Sequence, residues 1–263
     1  MLELVLSLIL CAGTFVIISG GLTSPTGQGI AGYDPQATGL GLLAILAAAY
    51  FWGPLFGMAL IVSVMIHEYG HVAAYRICGH ADARFRLIPL IGGAAISNQH
   101  PASEEKAFFI ALMGPGICLA PMVLAFALSE FADAASYPQV AKSLWVFGSV
   151  TGALNFFNLL PLWPLDGAHC LRVVINTFWP RASRQLTYAM AGSMVVAALW
   201  MQSILLLLIA LGSTRGLLAA ENLQNVRQRM TPAGGSLALL AYGFTAAAHF
   251  RGGEAIIKSF LSH

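Results

Sequence analysis

His67-Glu68-Tyr69-Gly70-His71 is the stretch of this chain best equipped for chemistry. Residues i and i+4 of a helix share a face, so the two imidazoles can converge on one point. Two histidines at that spacing can share a Zn²⁺ ion. Glu68 sits one residue along, beside that face, where its carboxylate can take a proton from a water polarised by the metal. Water needs such a cation before it attacks readily near neutral pH. The motif lies at the end of a long apolar run. Acids and imidazoles are costly in hydrocarbon, and those found there usually bind or react.

Two imidazoles leave a zinc ion short of a third protein ligand. Asp166 is the candidate, because it is the one other acid deeply framed by apolar residues. It stands in Asn155-Phe-Phe-Asn158-Leu-Leu-Pro161-Leu-Trp-Pro164-Leu165-Asp166-Gly167. The two prolines should break a helix there, and Gly167 should permit a tight turn that lets the carboxylate face inward. Asn155 and Asn158 can contact a substrate backbone, or satisfy carbonyls freed by the broken helix. His169 and Cys170 are expected to pack behind Asp166. His80, His100, His249 and His263 are expected at interfaces or in solvent.

The elements that must hold these residues are apolar. Of 263 residues, 58% are hydrophobic and 9% charged, with a mean hydropathy of +0.76. Soluble domains carry roughly 25% charged residues, so an all-α polytopic membrane protein is expected. The net charge of +2 includes no basic patch dense enough for a nucleic-acid backbone. Cys11, Cys78, Cys118 and Cys170 show no C-x-x-C spacing, which argues against a disulfide framework.

A spanning helix needs about 20 apolar residues. Residues 2–19 form the first candidate, a retained anchor with no Lys or Arg ahead of it and no small-x-small cleavage site behind it. A Gly- and Pro-rich loop should follow to residue 38. The apolar stretch 39–78 is too long for one crossing and should break at Gly53-Pro54. Residues 85–97, apolar around Gly92-Gly93, suggest a hairpin. Further spans are expected at 107–128 and 144–160, with a polar loop at 130–141. A short helix at most is expected at 171–178, then two short spans within 186–218 turning near Gln202. The apolar stretch 236–250 is a possible last crossing. That makes six to seven transmembrane helices with a membrane-embedded β-hairpin. The expected divisions are an anchor and loop at 1–38, a core at 39–220 and a C-terminal segment at 221–263.

Short loops rich in Lys and Arg stay in the cytoplasm. Segments 76–106, 162–185 and 214–232 hold ten of the 13 basic residues. They share one side if the helix after Pro54 runs inward, which puts Arg76 and the metal motif toward the cytoplasm of a cell-membrane protein.

H-E-x-x-H in one apolar helix, with N-x-x-P-x-x-x-L-D-G (Asn158 to Gly167) in a later one, resembles the site-2 protease family of intramembrane zinc metalloproteases. The resemblance covers roughly residues 40–220. It implies His67, His71 and Asp166 as ligands of one Zn²⁺ per chain and Glu68 as general base. It also implies an oxyanion or substrate role for Asn158, and it fits the hairpin and Gly114-Pro115 in the following helix. Two positions depart from the family pattern: Ala168 stands where a second Gly is common, and no Asn follows Gly-Pro, where Cys118 lies nearby. The outer loop at 130–141 is too short for an inserted PDZ-like or CBS-like domain.

The expected activity is hydrolysis of peptide bonds in or near transmembrane segments of membrane-protein substrates, as in regulated intramembrane proteolysis. Small residues Gly92, Gly93 and Ala94 would let an unwound substrate strand approach the hairpin edge. The lipid bilayer and a substrate transmembrane helix are the expected partners, and nucleic acid is not. The alternatives are an inactive helix-binding relative, which should have lost Glu68 or a ligand, and a metal transporter, which should line a path with more polar residues.

Overall fold

The computed structural model describes residues 2–22, 49–50, 53–88, 92–213 and 228–261. Among these, helices dominate. α1 is Leu2–Ile18, followed by a 3₁₀ turn at Ser19–Gly21, and α2 is Pro54–Ile77. Strands β1 (Arg84–Ile88) and β2 (Gly92–Ile96) come next. α3 is Glu104–Ala134, α4 Pro138–Asn158, α5 Asp166–Phe178 and α6 Pro180–Trp200. α7 is Ile204–Gly212 and α8 is Pro232–Leu261. Residues 2–21, 54–77 and 104–134 are long and apolar enough to cross a membrane. Most of the loop expected to residue 38, all of the short span before Gly53 except residues 49–50, the hairpin tip at 89–91 and the basic stretch 214–227 lie outside the described residues.

Sharp local signals set the ends of α2. Gly53 takes φ +85°, and Pro54 occupies the first turn, where its missing N–H costs nothing. At the other end Gly79 has φ +99°. His80 N–H donates to the Tyr75 carbonyl and Gly79 N–H to that of Arg76, which is a Schellman close.

The hairpin hangs directly from this end, and β2 lies against α2. Its strands are antiparallel, with Arg84 opposite Ile96, Phe85 opposite Ala95 and Ile88 opposite Gly92. A polar clasp closes its base. Asp82 accepts from Asn98 N–H at 2.6 Å and from Ser97 O–H at 2.9 Å, and Ser97 Oγ accepts in turn from His80 and from Gln99 N–H. These donors, Asn98 N–H first, hold the Asp82 carboxyl below the usual carboxylate range.

Three expectations are corrected. The polar loop at 130–141 is instead mostly helical: α3 runs to Ala134 and α4 starts at Pro138. The apolar stretch 236–250 is only the middle of the 30-residue α8. Glu254 pairs with Arg251 and Lys258 at helical spacing and carries the helix past its apolar part. The helix after Pro164 starts at Asp166 itself, so the expected 171–178 is its second half. The turn near Gln202 lies at the expected place, with φ +51° at that residue.

The chain packs as two compact units. The first holds Met1–Gln99, Met113–Phe157 and Thr245–His263, and the second holds His100–Leu112 and Asn158–Phe244. In the first, Ile18, Ala73, Ile117 and Cys118 form a buried cluster. In the second, Phe108, Cys170, Val173, Val174, Met230 and Ala238 form one, and Trp163, Ala168 and Met190 another.

Candidate metal centre

In the first unit, α2 puts His67 and His71 on its buried face, 5% and 8% exposed, with Glu68 half-buried beside them. Their Nε2 atoms lie 3.1 Å apart. Asn155 of α4 explains which nitrogen faces inward. Its Nδ2 donates to the Thr151 carbonyl at 2.8 Å, which fixes the amide orientation. Its Oδ1 therefore accepts from His67 Nδ1–H at 2.7 Å. The proton stays on Nδ1, and the Nε2 lone pair points toward His71.

Such a pair is what a metal needs. Two Nε2 lone pairs at this distance repel unless a proton or cation lies between them. A tetrahedral zinc with Zn–N bonds of ~2.0–2.1 Å separates two ligand nitrogens by about 3.3 Å. The observed 3.1 Å is close to that separation.

Small residues make the room. A Cβ on Gly114 of α3 would overlap the His71 ring, and one on Gly70 would overlap the Met113 carbonyl. α2 and this part of α3 thus approach backbone to backbone. One turn above His67, Ser63 and Thr151 repeat the contact between α2 and α4. Thr151 donates to the Phe147 carbonyl, so Ser63 O–H donates to Thr151 Oγ1, at 2.6 Å.

In the second unit, Asp166 is the first residue of α5 and is half-buried. Gly167 is not a turn, which corrects the expectation. It lies in the first turn of the helix, where a Cβ would overlap the Leu159 carbonyl. Close packing, not a positive φ, requires glycine here. Tyr242 of α8 donates to that same carbonyl at 2.6 Å. The His169 ring packs on Trp163 at 4.3 Å between centroids, and Cys170 is buried in the unit's core.

The remaining predicted residues fall in different places. Asn158 ends α4, half-buried. Gly92, Gly93 and Ala94 lie on β2 and pair with Ile88, Leu87 and Arg86. His100 is exposed as expected. His80 and His249 are not solvated: His80 is 4% exposed in the hairpin clasp, and His249 is fully buried. Reasoning from the sequence pointed to none of Ser63, Thr151 and Tyr242, and to Gly70 only as a member of the motif. It noted Gly114 only through the Gly-Pro pair.

Residues 129–202 match the model of peptidase family M50. A zinc metalloprotease of Methanocaldococcus jannaschii is 28% identical over 176 residues, 64% of this chain and 50% of that protein. Stage IV sporulation protein FB of Bacillus subtilis is 33% identical over 126 residues, 47% of this chain and 41% of that one. The chain thus spans about half the length of the curated relatives it matches. The solved structure of a site-2 protease from Methanocaldococcus jannaschii is 24% identical, with a TM-score of 0.45 over 74% of this chain and 91% of that chain.

Proposed function

We propose that this chain, whose residues 129–202 match the model of peptidase family M50 and which resembles curated zinc metalloproteases over about half their length, is an intramembrane zinc metalloendopeptidase. It hydrolyses peptide bonds in or near transmembrane segments of membrane-protein substrates. The observation that carries this reading is the buried His67–His71 pair, with Nε2 atoms 3.1 Å apart and the His67 tautomer held by Asn155.

His67 and His71 hold the metal and Asp166 completes its protein ligands. Two imidazole nitrogens and a carboxylate oxygen are the donor types zinc takes. When bound, zinc supplies Lewis acidity toward the scissile carbonyl and toward water. Glu68 takes the proton of the attacking water and then returns it to the departing amine. Asn155 acts by orienting His67. A substrate helix hides its carbonyls in its own hydrogen bonds, so it must unwind before attack. The edge of β2 at Gly92, Gly93 and Ala94 receives the unwound segment, and Asn158 contacts it at the end of α4.

The core lies within residues 39–220, with an N-terminal anchor and a C-terminal segment at 221–263 that forms one further span or an interfacial helix. Six to seven helices cross the cell membrane, the hairpin is embedded in it, and the basic segments put the site toward the cytoplasm.

Glu68→Gln tests the proposal. It keeps size and a hydrogen-bonding oxygen but cannot accept the proton. Purified protein should keep about one zinc per chain while cleavage of a reporter transmembrane helix falls by roughly 10²–10⁴. Undiminished cleavage would show that Glu68 is not the base.

A further inference from the structure

The C-terminal helix α8 lies beyond both the stretch that resembles the site-2 proteases and the segment matched by the family model, 129–202. Yet two of its side chains reach the backbone immediately behind the metal-facing residues. In the first unit, His249 donates Nε2–H to the Pro115 carbonyl at 2.9 Å. Pro115 follows Gly114, the residue whose missing Cβ makes room for the His71 ring. In the second unit, Tyr242 donates to the Leu159 carbonyl at 2.6 Å, the same carbonyl against which Gly167 is packed. Gly167 follows Asp166. His249 and Tyr242 are seven residues apart, two turns of one helix, and so share a face.

Packing alone does not account for His249. Its side chain is fully buried, and among the described residues its Nδ1 has no hydrogen-bond partner. A buried unpaired nitrogen costs stability, and an apolar side chain would fill the space without that penalty. What His249 has and an apolar residue lacks is the Nε2–H on Pro115. The seat of α8 in the first unit is also tight at this level. A Cβ on Gly253 would overlap the backbone of Gly152 and Ala153, just before Asn155 on α4, and one on Gly252 would meet Met122 Sδ.

We propose that His249 and Tyr242 are positioning residues of the metal centre. His249 fixes the Gly114-Pro115 backbone against which His71 rests, and Tyr242 fixes the Leu159 carbonyl against which Gly167, next to Asp166 at the start of α5, is packed. The proposal rests on the assignment of His71 and Asp166 as zinc ligands.

The test uses the full chain in detergent, stripped of metal and titrated with Co²⁺, whose visible bands report coordination geometry. Zn²⁺ affinity is measured by competition. Wild type should give the intense bands of a tetrahedral site. His249→Leu and Tyr242→Phe should each alter those bands and weaken Zn²⁺ binding by about tenfold, the low end for partners behind metal ligands. His249→Gln can still donate to Pro115 and should bind within about threefold of wild type. Tyr242→Phe removes one oxygen and stands as a separate arm should His249→Leu not fold. Wild-type bands and affinity in the folded donor-less variants would overturn the inference. So would a His249→Gln variant as impaired as His249→Leu. Failure of the underlying ligand assignment looks different: wild type would then show no tetrahedral bands, or His71→Ala would leave them unchanged.

Discussion

Asn155 decides which nitrogen of His67 carries a proton, and that choice leaves the Nε2 lone pair to serve in the proposed metal site. Its Oδ1 takes the Nδ1 proton while its own Nδ2 is tied to Thr151. Asn155→Ala should therefore weaken zinc binding by about 10–100-fold, measured by chelator competition, while Asn155→Asp keeps an acceptor and should bind far more tightly than the Ala variant. Equal affinity of Asn155→Ala and wild type would remove Asn155 from the centre. His67, Glu68 and His71 were legible in the sequence because helical spacing is itself a geometric statement. The task of Asn155 was not: an Asn before a helix break has several ways to spend its hydrogen bonds, and only the partner at His67 distinguishes them. His249 was less legible still, since a single histidine in an apolar run carries no periodic signal.

At the scale of elements, glycine and proline marked boundaries well when they demanded an unusual backbone. Gly53-Pro54 starts α2 and Gly79 ends it, both through positive φ at the glycine. The same residue types misled where they serve close packing, as at Gly167. Polarity was a poor guide to helix ends: Glu130 and Asp133 lie inside α3 because acidic side chains on a helix need only solvent. The hairpin was legible from its apolar runs and Gly pair, but its anchorage to α2 through Arg76, His80 and Asp82 depends on contacts the sequence does not advertise. Among the described residues, β2 pairs only with β1. Successive N–H groups of a strand point to opposite edges, so of Ala94 and Ala95 one N–H faces β1 and the other faces away. Proline at the outward position should cut reporter cleavage at least several-fold and leave zinc content unchanged. If both Ala94→Pro and Ala95→Pro cleave normally, the substrate is not held at this edge.

On the whole molecule, large apolar side chains remain exposed along the helices, Leu2 at 72%, Val16 at 71% and Trp200 at 83% among them. Lipid accepts such a surface where water does not. If the basic segments face the cytoplasm as proposed, single cysteines placed at Arg84 and Arg181 in a cysteine-free background should resist membrane-impermeant thiol reagents applied to intact cells. Efficient labelling at either would reverse the orientation. The central claim is one zinc ion held by two histidines and an aspartate. X-ray absorption at the zinc edge of the purified wild-type chain reads that donor set directly. The predicted result is a nearest shell of nitrogen and oxygen at ~2.0–2.1 Å, with outer-shell scattering from two imidazoles. Sulfur at about 2.3 Å, which would bring in a cysteine such as Cys170, or a third imidazole such as that of His169, would contradict it.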